Sequence, residues 1–409
     1  MTVEMSQQIL FGEQEIFHLE IPDSRLDSEF SAITPAPLDD PAAAIAEVLA
    51  DPFGFPPLAR TLVPGDRVAI ALDNNVPSAG ELVAGLVEML ASSGHLQQCQ
   101  LQLVFAGSSR ELVALQLAKK IPPDQLSQLN IEIHHPHDAH HLSYLAAADD
   151  ASPIYINRTL CDADVILPII SLGLDGQLCY AGIHETLFRS FTDDRTRQRF
   201  LVPVNHDSGK LREDADEAAW LLGIQLVLGV IPGAGNSLLH VIAGNAHEVR
   251  EEAELRGRAA WSRPARQAEL VIATIEGRPE SQGWMHIARA LYTSSRLVSD
   301  GGMIVLCTEL DCPPGEALFQ LSDQAGMPVE EETANTGISP DALAAEQLAL
   351  ASQRARIYLL SRLNQDVVES LGIAHVSETS QISRLSNQCD SCIVLSEADR
   401  TVIDEPSLP

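Results

Sequence analysis

Arg67-Val-Ala-Ile-Ala-Leu-Asp-Asn-Asn-Val-Pro77 is an apolar run that stops at a polar loop and restarts as a helical pattern. Leu101-Gln-Leu-Val-Phe-Ala-Gly-Ser-Ser-Arg110 repeats the unit, with helix Glu111–Lys120 behind it. Strands Val68–Leu72 and Leu101–Phe105, each followed by a helix, predict a parallel sheet, because parallel neighbours need a crossover connection. Pro77 suits the first turn of the helix that runs to about Ser92, where a missing N–H costs nothing. In such folds ligands bind at the carboxyl ends of strands, so these two loops are where function should be read.

The same rhythm extends in both directions. Ile9–Pro22 alternates apolar and polar residues around Gly12 and reads as a hairpin or edge pair. A helix is predicted around Pro41–Ala50, and strands at Ile131–His134, Ile154–Asn157 and Asp164–Ile170. Gln225–Ile231 and Ser237–Ala243 flank Pro-Gly-Ala-Gly-Asn, a hairpin by its turn residues. After the charged helix Glu248–Ala260, the segment Trp261-Ser-Arg-Pro264 marks a boundary. Strands Leu270–Thr274, Met303–Cys307, Arg356–Leu360 and Cys392–Leu395 then alternate with helices over Trp284–Leu297, Glu316–Ala325, Ala342–Ser352 and Val367–Leu371. The expected architecture is α/β in two domains, 1–262 and 263–409. Each has a mostly parallel sheet flanked by helices, with an active-site cleft between them.

Composition narrows the function. The 409 residues carry a formal net charge of -31 and only 4% aromatics. Phosphate contacts need clustered Lys and Arg and base stacking needs aromatic platforms, so a nucleic-acid partner is not expected. No apolar stretch approaches the roughly 20 residues that cross a bilayer, and no membrane partner is expected. Seven scattered cysteines and no signal peptide suggest reduced thiols and a cytoplasmic protein. Cys389-Asp-Ser-Cys392 has CxxC spacing, but without a second pair it argues only weakly for zinc or redox chemistry.

Several residues have the chemistry of a site. Asp73, at a strand end, suits a ribose hydroxyl, a base or a hydrated cation, and suits equally a plain helix cap. Ala106-Gly-Ser-Ser-Arg110 offers backbone N–H groups, hydroxyls and a guanidinium to a phosphate or carboxylate. The run His134-His-Pro-His-Asp-Ala-His-His141 reads mainly as surface histidines with adventitious metal affinity. His206 follows an apolar segment and is the better single ligand candidate. His184 and Glu185 are an imidazole and a carboxylate at a helix start, where acid–base work is conceivable although neighbours on a helix point about 100° apart. His286 and Arg289 share one helical face and suit a substrate carboxylate, or a solvated face.

The order of these segments resembles the nickel-dependent lactate racemase family. Phe11-Gly12 and Ile21-Pro22 sit at that family's start, and Asp73-Asn-Asn-Val-Pro77 at its Asp-x-Thr-Arg-Pro loop. Ala106-Gly-Ser-Ser-Arg110 sits at its Thr-Gly-x-His-Arg loop, and His137-Asp138, Tyr155-Ile-Asn157 and Asp162-Ala-Asp164 follow at similar spacing. Asn205-His206, Ile242-Ala-Gly244, the helix Gly283–Leu291 and Asp300-Gly-Gly302 complete a collinear series over nearly the whole chain.

The resemblance implies a racemase/epimerase-type isomerase for a 2-hydroxy acid, with a nickel-pincer nucleotide held between the two domains. It places Asp73, Asn75 and Arg110 at the cofactor and His206 at the metal. Ser109, His184, His286 and Arg289 then fall at catalytic or substrate positions. The departures fall on the chemistry. Ser109 stands where the family has a proton-transferring histidine, Gly173–Tyr180 contains no histidine, Val76 replaces a substrate-clamping arginine, and the cofactor-anchoring lysine is absent. Serine is no general base near neutral pH without an activating partner. The leading expectation is therefore a divergent isomerase scaffold. The alternative is a non-catalytic small-molecule or nucleotide-binding protein on the same scaffold, and a weaker third is an unrelated transferase using the Gly-Ser-Ser-Arg loop for phosphate.

Overall fold

The structure, a computed structural model, describes residues 4–27, 30, 35–107, 116–148, 151–178, 182–200, 208–323 and 340–404. The deciding stretch forms strand β3, Arg67–Leu72, the middle of a six-stranded sheet. Following the hairpin β1 (Glu4–Phe11) and β2 (Glu15–Pro22), the sheet uses β3, β4 (Gln100–Phe105), β5 (Leu129–Ile133), β8 (Val165–Ser171), β9 (Val227–Pro232) and β10 (Leu238–Gly244). Their spatial order is β10-β9-β8-β3-β4-β5. All neighbours are parallel except β10, which returns antiparallel from β9 through the Gly233–Ser237 turn, as the Pro-Gly-Ala-Gly-Asn composition predicts.

Val68–Leu72 is buried on both faces, which explains the unbroken apolar run. Ile70 and Leu72 pack toward helices α1 (Pro41–Ala50) and α2 (Ala79–Ser92). Ala69 and Ala71 face Phe188 and Phe191 of helix α3, Ile183–Phe191. Each of those phenylalanines is fully buried, worth about 2–3 kcal/mol of apolar transfer. Helices α1 and α2 touch at Gly85, where a Cβ would come within 2.3 Å of the Ala42 carbonyl oxygen.

One local expectation is corrected. Helix α2 begins at Ala79 rather than Pro77, after a left-handed Ser78 (φ 51°) that makes no side-chain cap. Ile154–Asn157 lies in β7 (Pro153–Asn157), which pairs antiparallel with β6 (Leu142–Ala147) in a separate two-stranded ribbon. Ile154 and Ile156 are buried in one cluster with Val104, Leu160 and Phe191, while Tyr155 between them is exposed. The first half of the expected helix Glu111–Lys120, residues 111–115, lies outside the described residues.

The second sheet is wholly parallel. Its strands are β12 (Ala268–Thr274), β13 (Val298–Cys307), β14 (Ala355–Leu360), β15 (Ala374–His375) and β16 (Cys392–Leu395). They lie in the order β15-β14-β13-β12-β16. Helices α4 (Ser208–Leu221) and α5 (Ala246–Trp261) precede this sheet in the chain. One of its faces is covered by helix α6 (Trp284–Ser295) and helix α7 (Pro340–Arg354). The other face is covered by the N-terminal hairpin, whose Ile9, Phe17 and Leu19 pack on Leu270, Ile272 and Val305. Gly12, at φ +63° in the hairpin turn, donates to the Ile275 carbonyl and accepts from Gly277 N–H. The chain's first strands thus complete the core of its last half. The halves are also tied by a short parallel pair, β11 (Ser262–Pro264) with β17 (Val402–Asp404).

Candidate functional site

In each sheet the strand order reverses beside its first strand in sequence. The crevice where that happens is the place where α/β folds bind ligands. In the first sheet this point lies between β3 and β8, and Asp73 stands there. Its N–H donates to the Ile169 carbonyl across the gap. The carboxylate is 2% exposed, accepts from the Asn75 backbone N–H at 3.3 Å, and accepts from the Ser190 hydroxyl at 2.6 Å. Asp73 therefore clamps the β3 loop to helix α3, and the side chain of Asn75 stands exposed beside it.

Helix α3 starts at the far side of the same edge, from Gly182. His184 lies in its first turn, its side chain 11% exposed. The ring Nδ1 meets Asp216 Oδ1 of α4 at 2.6 Å. The ring Nε2 is buried and has no hydrogen-bond partner among the described residues. Glu185, the next residue, points elsewhere: it is buried, accepts from Arg212 Nε at 3.3 Å and lies against Gly182. The imidazole and carboxylate that adjoin in sequence do not work as a pair, as their angular separation on the helix requires.

In the second sheet the reversal lies between β12 and β16. Glu276 follows β12 and Glu397-Ala-Asp-Arg400 follows β16. Arg400 donates to the carbonyls of Gly233 and Gly235, the latter at 2.9 Å, and Glu397 Oε1 accepts from Gly235 N–H at 2.6 Å. The β9–β10 turn of the first sheet is thus gripped by the strand ends of the second. Glu397 is 1% exposed and left-handed (φ 51°), and its Oε2 lies 3.4 Å from Arg400 Nε without hydrogen-bond alignment. Asp399 is also buried, with one carboxyl oxygen unpartnered among the described residues. One arginine cannot neutralise three carboxylates. Burial pushes Glu397 up to about 8, against the pull of Arg400 and with the help of Asp399 and Glu276. Burial likewise pushes Glu276 up to about 7, opposed by Arg400 and reinforced by Asp399.

Helix α6 stands over this cluster. His286 Nδ1 accepts from Gly283 N–H at 3.1 Å and closes the helix start. Burial, with Arg289 and Arg400 nearby, holds its imidazole below the usual range, and Asp399 opposes that. Arg289 Nε donates to the Leu178 carbonyl, in the loop between β8 and α3, at 3.3 Å. The shared face read from the sequence exists, but His286 caps its own helix while Arg289 reaches toward the first sheet. Ser109, Arg110 and His206 lie outside the described residues. Val76 is buried, so the residue at the expected clamp position faces the core.

Among the described residues the histidine run does not form a metal centre. His134 is buried with Nε2 on the Thr192 carbonyl at 3.0 Å, and desolvation lowers it to about 4. His137 and His141 pair with Asp194 and Asp138 at the surface. Cys389 and Cys392 are buried thiols, and burial pushes Cys392 up to about 12. No three His, Cys, Asp or Glu side chains converge as metal ligands among the described residues. The chain's lysines are Lys119, Lys120 and Lys210, all exposed, and Lys120 is engaged by Glu81 at 2.9 Å. The loop from Gly173 to Glu185 contains none. A nucleotide cofactor anchored through a lysine at that loop does not fit this residue set.

Asp216, Glu276, Glu397, Asp399 and Arg400 were missed from the sequence. The last four follow apolar strands and carry the signal that singled out Asp73. Asp216 sits in an acidic helix and meets His184 across 32 positions, which no local pattern marks.

Residues 11–174 match the family model of the lactate racemase N-terminal domain. The fold matches the lactate racemase apoprotein from Thermoanaerobacterium thermosaccharolyticum with a TM-score of 0.78 at 14% identity, over 98% of this chain and 100% of that one. A Thermotoga maritima protein matches with a TM-score of 0.64 at 12% identity, over 91% of this chain and 99% of that one. No curated protein matches the sequence.

Proposed function

We propose that this chain, a divergent member of the lactate racemase family carrying that family's N-terminal domain over residues 11–174, is a racemase/epimerase-type isomerase scaffold for a 2-hydroxy acid. His184 is its acid/base group. The observation that carries this reading is the state of that ring: one nitrogen is held by Asp216, and the other is buried and unengaged among the described residues, at the carboxyl edge of the parallel sheet. Proton transfer needs a group so oriented, within hydrogen-bond reach of its target. The crevice between the two sheets, with the boundary near residues 262 and 263, receives the substrate. Arg289 and Arg110 supply positive charge for its carboxylate in a chain whose overall charge repels anions. The lysine that would anchor a nickel nucleotide is missing, so the proton transfer falls to the chain's own residues.

That missing lysine, with Val76 turned into the core, favours a second reading: a binding protein without catalysis on the same scaffold. One experiment separates the two. Each enantiomer of lactate and of other short 2-hydroxy acids is incubated with the chain in deuterium oxide. Loss of the α-hydrogen is read by proton NMR, inversion by chiral chromatography, and binding by calorimetry. Exchange or inversion that disappears in His184→Gln supports the isomerase. Calorimetric binding without either, in every acid tested, supports the binding protein.

A further inference from the structure

Helix α4 presents Arg212 and Asp216, four residues apart and so on one face, to the consecutive residues Glu185 and His184 of α3. The Asp216 side chain is 58% exposed and the His184 side chain 11%. The carboxylate therefore approaches the ring from the solvent side. The two ring nitrogens point in divergent directions, so Nε2 is turned away from Asp216. It is buried and has no partner among the described residues. A plain surface ion pair would leave that far nitrogen in water.

An ionised carboxylate only accepts hydrogen bonds, so the nitrogen against it must carry the proton. The neutral ring then has its lone pair on Nε2, and the partner of one nitrogen dictates the state of the other. We propose that Asp216 is a positioning residue: it fixes His184 in the Nδ1–H form, presents the inward Nε2 as the proton acceptor, and stabilises the imidazolium once that proton is taken. The role given to the acceptor rests on the isomerase reading. The tautomer does not.

The test is a long-range proton–nitrogen NMR correlation on the full chain with labelled histidine at pH 8, with His184 assigned by its disappearance in His184→Gln. The wild type should show the Nδ1–H form. Asp216→Ala should convert it to the Nε2–H form that free imidazole prefers. Asp216→Glu retains a carboxylate that can only accept, so it should keep the native form and serves as the folded control if the alanine variant is unstable. An Nε2–H ring in the wild type, or in a folded Asp216→Glu, overturns the assignment, as does an unchanged ring in a folded Asp216→Ala. The α-hydrogen exchange is measured on the same samples. Exchange lost in Asp216→Ala and rescued in Asp216→Glu supports both statements. A correct tautomer with no exchange in any variant refutes the isomerase reading alone.

Discussion

Replacing Glu397 by glutamine should change how the protein's stability depends on pH. The carboxyl is buried, accepts from Gly235 N–H through one oxygen, and leaves the other 3.4 Å from Arg400 Nε. Burial raises it from 4.5 to about 8, and Glu276 from 4.5 to about 7. A carboxyl whose native pKa is raised binds its proton more tightly folded than unfolded. Its contribution is complete below pH 4.5 and is lost as pH rises through the native value. A fully shifted proton gives a slope of about 1.4 kcal/mol per pH unit. From pH 6.5 to 8.5 the loss integrates to about 2 kcal/mol for Glu397 and about 1 kcal/mol for Glu276, both upper limits because the pair shares its protons. His134, lowered to about 4, acts in the opposite sense but only below 6.5. Urea unfolding across this range should show a falling stability in the wild type and a shallower fall in Glu397→Gln. In Glu276→Gln/Glu397→Gln it should be shallower still. A double variant that falls as steeply as the wild type, or a wild type that gains stability over this range, would refute the reasoning.

Three further outcomes follow from the packing. Gly85→Ala should destabilise by about 1–3 kcal/mol in urea unfolding, because its Cβ would sit 2.6 Å from Ala42 Cα and push α1 and α2 apart, outweighing the better helix propensity of alanine. A gain in stability would contradict it. Asp73→Ala should cost about 1–3 kcal/mol by orphaning the Ser190 hydroxyl. Much less should be lost when Ser190→Ala is already present, and strict additivity in the double-mutant cycle would count against the clamp. Iodoacetamide at pH 7.5 should alkylate exposed Cys312 far faster than Cys389 or Cys392, read by peptide mass spectrometry, since burial raises both thiols of the pair. Faster reaction at the CxxC pair would restore a redox reading for it.

The parallel sheets were legible because their strands are buried on both faces, as at Val68–Leu72 and Val165–Ser171, and because turn residues punctuate them. The glycine turn between β9 and β10 and the hairpin at Gly12 were legible for the same reason. The hairpin's docking on the second sheet was not, since apolar alternation shows that a face is buried without showing what buries it. Helix α2 starts two residues late because Ser78 adopts a left-handed turn that its identity does not announce. At the site, Asp73 was visible as a polar residue at the end of an apolar run, and His184 as an imidazole at a helix start. Their partners Ser190 and Asp216 were not, because long-range pairing across helices leaves no periodic trace.

The central claim is that Asp73, His184 and the start of helix α6 border one crevice that takes a 2-hydroxy acid. Hydrogen–deuterium exchange with and without saturating lactate tests it most directly. The account predicts simultaneous protection of peptides covering 73–78, 182–190 and 283–290. Protection confined to one of them would contradict it.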